Sequence, residues 1–196
     1  IVGMGCRFAN APDLHAYWEM TCKGIDGFGP IPSDRWDHDV FFNANRRVAD
    51  KTYAPRGAFI DDVRSFPALA LSIPPRRVEV MDPQQRFAIE MAIEALLDGG
   101  YRPSEMPYRT GVYMGVTATE FRMFATARIV AQLMASGTFG ENPEAGEPIA
   151  NAVNRLAPPR PFTAPGVSAN MVAPSVAPQL DLPGTAYTTA SYPPSP

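Results

Sequence analysis

Apolar residues recur every three or four positions in several stretches of the chain, which is the spacing of an amphipathic helix. Residues 12–24 have this pattern and predict a helix, with Pro12 in its first turn and Asp13 near its positive end. Residues 121–136 are almost continuously apolar and predict a second helix. Residues 151–156 are long enough for one or two helical turns.

Prolines interrupt the pattern in the last quarter of the chain. Ten of the 22 prolines follow Ala157, so we expect this part to be looser than the rest. Residues 157–166 are too rich in proline for regular structure. Residues 167–180 have helical spacing but contain Pro174 and Pro178, each of which removes a backbone donor. We therefore expect a broken or poorly formed helix there.

The clearest predicted element is the helix in "MDPQQRFAIEMAIEALLDGG". Asp82 is a natural N-cap, Gln85 completes a capping-box pattern, and the glycine pair 99–100 ends the helix. Apolar residues fill most of its circumference, so we expect it to be buried on most sides. Three acidic residues spaced by four share the remaining face: Glu90, Glu94 and Asp98.

Short apolar runs next to glycines predict strands. Residues 1–4 read as a short buried strand, and residues 111–116 as a second one. The threonine-rich stretch within residues 181–190 could form a third. Residues 25–66 and 137–148 are expected to be mostly turn and loop. Strands alternating with helices predict the α/β class.

Composition narrows the possible functions. With a net charge of −3 and few runs of Lys and Arg, the chain is a poor candidate for nucleic-acid or membrane binding. Its two cysteines fit a reducing, cytoplasmic compartment. It shows neither a signal peptide nor a long apolar span. It opens on a predicted strand without a methionine, and this start leads us to expect a fragment of a longer polypeptide.

The stretch "GMGCRF" follows the first predicted strand and could indicate a dinucleotide-binding turn. Phe8 stands where that fingerprint requires its third glycine, so a structural turn is favoured. Cys6 could be a nucleophile, but neither His15 nor His38 is placed to serve it, and a small core thiol is favoured. The three stacked carboxylates could act in acid/base chemistry, although a solvated helix face is the default interpretation.

Six motifs in order carry a resemblance to a known family: "IVGMGCRF", "DRWD", "KTYAPRGAF", "MDPQQR", "EALLDGGY" and "RTGVYMGV". Together they resemble the N-terminal half of the β-ketoacyl synthase domain of modular type I polyketide synthases. Two positions depart from the family: Ala9 replaces a usual proline, and Ala58 a common glycine. On this basis residues 1–157 are a partial N-terminal domain, and residues 158–196 are its proline-rich continuation.

The resemblance implies a thiolase-like fold, of which this chain holds the N-terminal part, and a homodimeric acyltransferase. It also implies that no cofactor is bound directly. Acyl groups would arrive on the phosphopantetheine of an acyl carrier protein, and a cysteine would take up each acyl chain before a decarboxylating condensation. Two histidines that assist this reaction lie in the second half of the family domain, beyond the end of this chain.

The family cysteine is expected near the end of the chain. The stretch "DLPGTAYTT" matches the family pattern before that cysteine, but the match fails from Ala190 onward. Pro193 occupies the cysteine position, and Ser191 and Tyr192 precede it. Proline has no thiol, so the resemblance transfers no catalytic, cofactor-binding or metal-binding role to any residue.

Three hypotheses follow from the sequence. The first is an incomplete condensing domain that is inactive alone, the result of a truncation, a frameshift or a genuine loss of the site. The second is a non-catalytic scaffold for dimerisation or for docking a carrier protein. The third is an acyltransferase with an unusual nucleophile, Ser191 or Cys6.

Overall fold

The structure is a computed structural model, and it describes residues 1–103, 106, 109–117, 121–140 and 143–190. The chain divides into two compact units. The first comprises Ile1–Ser65 and Glu94–Gly100, and the second comprises Phe66–Ile93 and Tyr101–Pro196.

The first unit contains the predicted N-terminal helix, α1, which spans Leu14–Lys23. The carboxylate of Asp13 caps it by accepting a hydrogen bond from the backbone N–H of Ala16 at 2.8 Å. Gly24, at φ 62°, ends it in the left-handed conformation. The predicted helix is confirmed, although Pro12 precedes the cap instead of lying in the first turn.

The strand predicted over residues 1–4 is not formed. Ile1 and Val2 are exposed, and the backbone N–H of Met4 donates to Asp98 at 2.8 Å instead of to a neighbouring strand. Gly3 lies so close to the end of a helix that an added Cβ would stand 2.1 Å from the carbonyl oxygen of Ala95. This segment therefore contacts a helix end through Gly3 and Met4 and is not paired in a strand.

The long connection over residues 25–66 is mostly turn and loop, as predicted. It contains a two-residue strand β1, Gly29–Pro30, paired antiparallel with β2, Arg56–Gly57. A single helical turn, α2, spans His38–Phe41.

Helix α3 covers Pro75–Val78, and the long helix α4 covers Pro83–Asp98. Asp82 caps α4 as predicted, because its carboxylate accepts from the backbone N–H of Gln84 at 2.8 Å. Gly100 follows the helix at φ 76°. The predicted capping box is wrong, since the backbone N–H of Asp82 donates to the carbonyl of Gly166 and the side chain of Gln85 is engaged elsewhere.

The second unit contains a parallel pair of strands, β3 (Val112–Val116) and β4 (Ala186–Ala190). Their register runs from Val112 opposite Ala186 to Val116 opposite Ala190. Both predicted strands are confirmed. Val112 and Val116 are buried whereas Tyr113 is 71% exposed, so β3 buries the side chains at its two ends.

Two long helices follow β3: α5, Arg122–Ala135, and α6, Pro143–Leu156. The first was predicted, but the loop predicted over 137–148 is wrong from residue 143 onward. Gly146 lets α6 approach α5 so closely that an added Cβ would lie 2.5 Å from the backbone nitrogen of Ala135. We attribute the helix to this packing, which compensates for the donor that Pro148 removes.

The proline-rich segment forms a series of short helices. These are α7 (Thr163–Gly166), a 3₁₀ turn (Ala169–Met171), α8 (Val172–Val176) and a second 3₁₀ turn (Ala177–Leu180). The predicted break in the helix is confirmed. Pro174 and Pro178 each fall in the first turn of a short helix, where the backbone N–H has no intrahelical acceptor.

This segment is not loose, contrary to the expectation from its composition. Five of its apolar side chains are among the most buried of the chain: Val172, Ala173, Val176, Ala177 and Leu180. The prediction that residues 157–166 contain no regular structure is likewise wrong for the single turn α7. Proline here divides a helix without preventing the segment from entering the core.

Candidate active-site segment

Strand β4 is the element that leads towards the expected nucleophile position, and a tight turn sets its start. Asp181 adopts the left-handed conformation at φ 49°, and Leu182 is buried. Gly184 passes so near Thr110 that a Cβ would lie 2.1 Å from the Thr110 carbonyl oxygen. Only glycine fits this approach, which allows the Thr185 carbonyl to accept from the N–H of Val112 at 2.8 Å.

Thr188 fixes the middle of β4 to the helices that precede it. Its hydroxyl accepts a hydrogen bond from the backbone N–H of Ala173 at 3.0 Å and donates to the carbonyl of Asn170 at 3.1 Å. The strand is therefore held on one side by the β3 ladder and at Thr188 by the start of α8.

A buried polar cluster supports α8 in turn. Gln85, which is 2% exposed, donates through its amide nitrogen to the carbonyls of Pro165 and Gly166 at 2.9 and 3.0 Å. The hydroxyl of Ser175 donates to the amide oxygen of Gln85 at 3.0 Å. Donors and acceptors of one side chain thus join α4 and α7 to α8, the helix whose start holds β4 at Thr188.

The expected nucleophile position follows β4 in the sequence. Ala190 is the last residue described, and Ser191, Tyr192 and Pro193 lie outside the described residues. The structure therefore places the strand that leads to the position but not the position itself.

Cys6, the alternative nucleophile, has the electrostatic surroundings of an unreactive thiol. Burial raises the pKa of Cys6, and the nearby carboxylates of Glu94 and Asp13 raise that pKa further. Activation would require the opposite shift, because the thiolate is the nucleophile. Cys6 is only partly buried, so the structure does not place it in the core, where the favoured interpretation as a small core thiol expected it.

His15 lines the same cavity of about 840 Å³ in the first unit as Cys6. Its ring nitrogen Nε2 lies 3.2 Å from the carboxylate of Glu19, one turn further along α1. The other histidine, His38, stacks on Phe42 with ring centroids 4.7 Å apart. Cys6 and His15 therefore share a cavity wall, and no hydrogen bond between them is seen among the described residues.

Two of the three stacked carboxylates anchor the N-terminal segment. Glu94 pairs with Arg7 at 2.9 Å, and Asp98 accepts from the backbone of Met4. Glu90 lies near Arg86; burial lowers the pKa of Arg86, and the carboxylates of Asp82 and Glu90 only partly oppose this shift. This anchoring role was not predicted, because the spacing of acidic residues does not reveal what lies opposite them.

The described part of the chain contains neither a metal-binding cluster nor a membrane-spanning helix. In that part, no group of three or more His, Cys, Asp or Glu side chains is arranged to hold a metal ion. Within the same ranges, none of the helices has the length and apolarity needed to cross a bilayer.

Comparison with known proteins identifies relatives of this segment. The family described as "Beta-ketoacyl synthase, N-terminal domain" matches residues 1–192. Polyketide synthase ThaG of Burkholderia thailandensis is 38% identical over 125 residues, which is 63% of this chain and 2% of that protein. Polyketide synthase PksL of Bacillus subtilis is 33% identical over 132 residues, covering 63% of this chain and 3% of PksL.

Solved structures establish the fold. The oxazolomycin ketosynthase domain OzmH KS7 of Streptomyces albus JA3453 superposes with a TM-score of 0.77 at 23% identity, over 97% of this chain and 28% of that one. A ketosynthase from module 6 of the bacillaene synthase of Bacillus subtilis gives a TM-score of 0.66, also at 23% identity, over 97% of this chain and 26% of that one. The predicted thiolase-like fold, N-terminal part only, is confirmed. The chain belongs to the β-ketoacyl synthase family and corresponds to its N-terminal domain.

Proposed function

We propose that this chain is the N-terminal part of a polyketide-synthase condensing domain and that the 196 residues do not themselves take up an acyl group. The observation that carries the proposal is the ordered β3–β4 pair, which leads directly into a sequence without a thiol. The matched domain belongs to enzymes that condense acyl thioesters with loss of carbon dioxide. Pro193 stands where those enzymes have the cysteine.

The chemistry supports an inactive chain. Acyl transfer to a protein needs an activated nucleophile, and proline offers neither a thiol nor a backbone N–H. Ser191 would need a base, and neither histidine of the chain, His15 or His38, lies near it in the sequence. Cys6 has a raised pKa, which favours its protonated, poorly nucleophilic form.

Acylation measured by intact mass tests this proposal. We expect the purified chain to gain no acyl group when incubated at pH 7.5 with a short acyl thioester of N-acetylcysteamine. Cys6→Ser and Cys22→Ser variants serve as controls, because they separate adventitious thiol acylation from acylation elsewhere. A stoichiometric adduct that maps to Ser191 or Cys6 would contradict the proposal and favour the unusual-nucleophile hypothesis.

Carrier-protein binding and homodimerisation belong to this proposal as well. In the family's reaction, acyl groups arrive on a carrier protein's phosphopantetheine, and no cofactor is held by the domain. The division of the domain at Ala157 also stays a prediction.

A second candidate function is a non-catalytic dimerisation scaffold, favoured by the exposed apolar side chains of α5. Met123, Ile129, Val130 and Leu133 are all exposed on this helix. Sedimentation velocity tests this candidate, with Ile129→Glu expected to convert a dimer to a monomer and Thr126→Glu, on the same helix, as the matched control. A monomeric parent chain would exclude it.

A further inference from the structure

A second cavity, within the second unit, is unrelated to the segment that leads to residue 193. It has a volume of about 490 Å³ and lies between α5, the end of α6 and α7. This volume is within the range of small-molecule sites, which is about 300 to 1,000 Å³. The cavity is therefore large enough for a ligand with a medium-length alkyl chain.

The wall of this cavity is apolar on one side. Phe121 and Phe124 contact each other edge to face, with ring centroids 5.4 Å apart, and Val80 and Val167 add aliphatic surface. Phe124 remains 47% exposed, so a ligand lying against it would remove apolar area from water.

Among the described residues that line this cavity, three carry a guanidinium group and one carries a carboxylate. Arg160 forms an ion pair with that carboxylate, Glu79. Arg128 donates through Nη1 to the carbonyl of Ala157 at 2.8 Å, which uses one of its five donors. Arg155 is exposed and makes no ion pair among the described residues. Arg128 and Arg155 therefore leave the lining with an excess of positive charge.

We propose that this cavity binds a small anionic amphiphile, with a carboxylate or phosphate head group at Arg128 and Arg155 and an alkyl chain along Phe121 and Phe124. The planar guanidinium presents paired donors that match either head group. A neutral ligand would leave the cationic rim without a partner, and a bare anion would leave the phenylalanine wall in contact with water. Only a molecule with both parts satisfies the whole lining.

Calorimetric titration of the purified chain tests the two parts of the ligand separately. Decanoate and decyl phosphate carry both parts, decanol lacks the charge, and inorganic phosphate lacks the chain. We expect decanol and phosphate each to bind at least about tenfold more weakly than the better of the two amphiphiles, since one charge-assisted hydrogen bond is worth about a factor of ten. The tighter amphiphile identifies the head group. Equal affinity for decanol and decanoate would overturn the proposal.

Variants locate the site. Arg155→Gln should weaken decanoate binding about tenfold and leave decanol binding unchanged, because only the charged partner is removed. Phe124→Ala should weaken the binding of both. Arg76→Gln is the matched control, since Arg76 is an exposed arginine of the same unit outside the cavity. Only variants whose thermal unfolding midpoint matches that of the parent chain are compared. The same decanoate affinity in Arg155→Gln and Arg76→Gln would refute this location.

This inference goes beyond the proposed function, because none of the cavity residues belongs to β4. The two can also fail separately. Loss of amphiphile binding leaves the acylation result unchanged, and an acyl adduct at Ser191 or Cys6 leaves the titration unchanged.

Discussion

Two segments of this protein have similar sequence patterns but adopt different structures. Residues 1–4 and Ala186–Ala190 are both short runs that predict strands, yet only the second forms one. Strand β4 pairs along its whole length with β3 and is also held through Thr188. The N-terminal segment binds the end of a helix through Gly3 and Met4. The difference lies in the available partners, because a strand exists only where its backbone groups meet a ladder.

The largest expected effect comes from breaking the tight turn before β4. Gly184→Ala places a methyl group against the Thr110 carbonyl, a fixed backbone atom, so β4 has to move out of register. We expect the free energy of unfolding, measured by urea titration, to fall by about 3 kcal/mol or more.

Gly115→Ala on β3 is the matched control for this substitution. A Cβ at Gly115 meets nothing within 4 Å, so its cost should stay below about 0.5 kcal/mol. Equal losses in the two variants would show that the close approach at Gly184 does not hold β4 in place.

The next effect concerns the buried amide that supports β4 through α7 and α8. Gln85→Met keeps the volume but leaves the carbonyls of Pro165 and Gly166 and the Ser175 hydroxyl without this partner. We expect a loss of about 2 to 3 kcal/mol, together with faster amide hydrogen exchange over residues 173–188.

A double-mutant cycle with Ser175→Ala separates the contributions. The two substitutions should be non-additive, because they remove the same hydrogen bond. Gln132→Met, at an exposed position of α5, should change stability by less than about 0.5 kcal/mol. Strict additivity would contradict the assigned contact.

A smaller effect is expected in the other segment of the comparison. Gly3→Ala places a Cβ against the Ala95 carbonyl and should release residues 1–4 from the helix end. Because this segment is exposed, we expect a global loss of only about 1 kcal/mol or less, but full loss of exchange protection at the Met4 amide. Gly29→Ala, with open space around its Cβ, should retain that protection.

The smallest effect is a pH dependence at Cys6. Its raised pKa means that the folded state favours the protonated thiol, so this contribution to stability is complete below the unfolded pKa and is lost as pH rises through the folded pKa. Alkylation of Cys6 by iodoacetamide should therefore have a midpoint at higher pH than in a denatured control. Glu94→Gln should lower that midpoint, whereas Glu19→Gln should not; an unchanged midpoint in both would exclude the Glu94 contribution.

Much of the fold follows from local sequence. The cap at Asp82 and the glycines after α1 and α4 predict helix ends to within about a residue, because capping depends on neighbouring atoms only. The extent of α6 could not be predicted in this way, since its formation through Pro148 depends on packing against a helix distant in sequence. The sequence also predicted Gln85 to be a capping residue. Its side chain instead bonds to Pro165, Gly166 and Ser175, which are distant in sequence and could not be inferred from its neighbours.

The sequence by itself determined the start of α4, the glycines that end α1 and α4, the two strands of the parallel pair, the family resemblance and the absence of a cysteine at residue 193. The tertiary structure alone decided that residues 1–4 bind a helix end, that the proline-rich segment enters the core, and that three arginines meet a phenylalanine wall. The first group depends on residue identity and on contacts within a few positions. The second depends on contacts between distant parts of the chain, whose free energies exceed local conformational preferences.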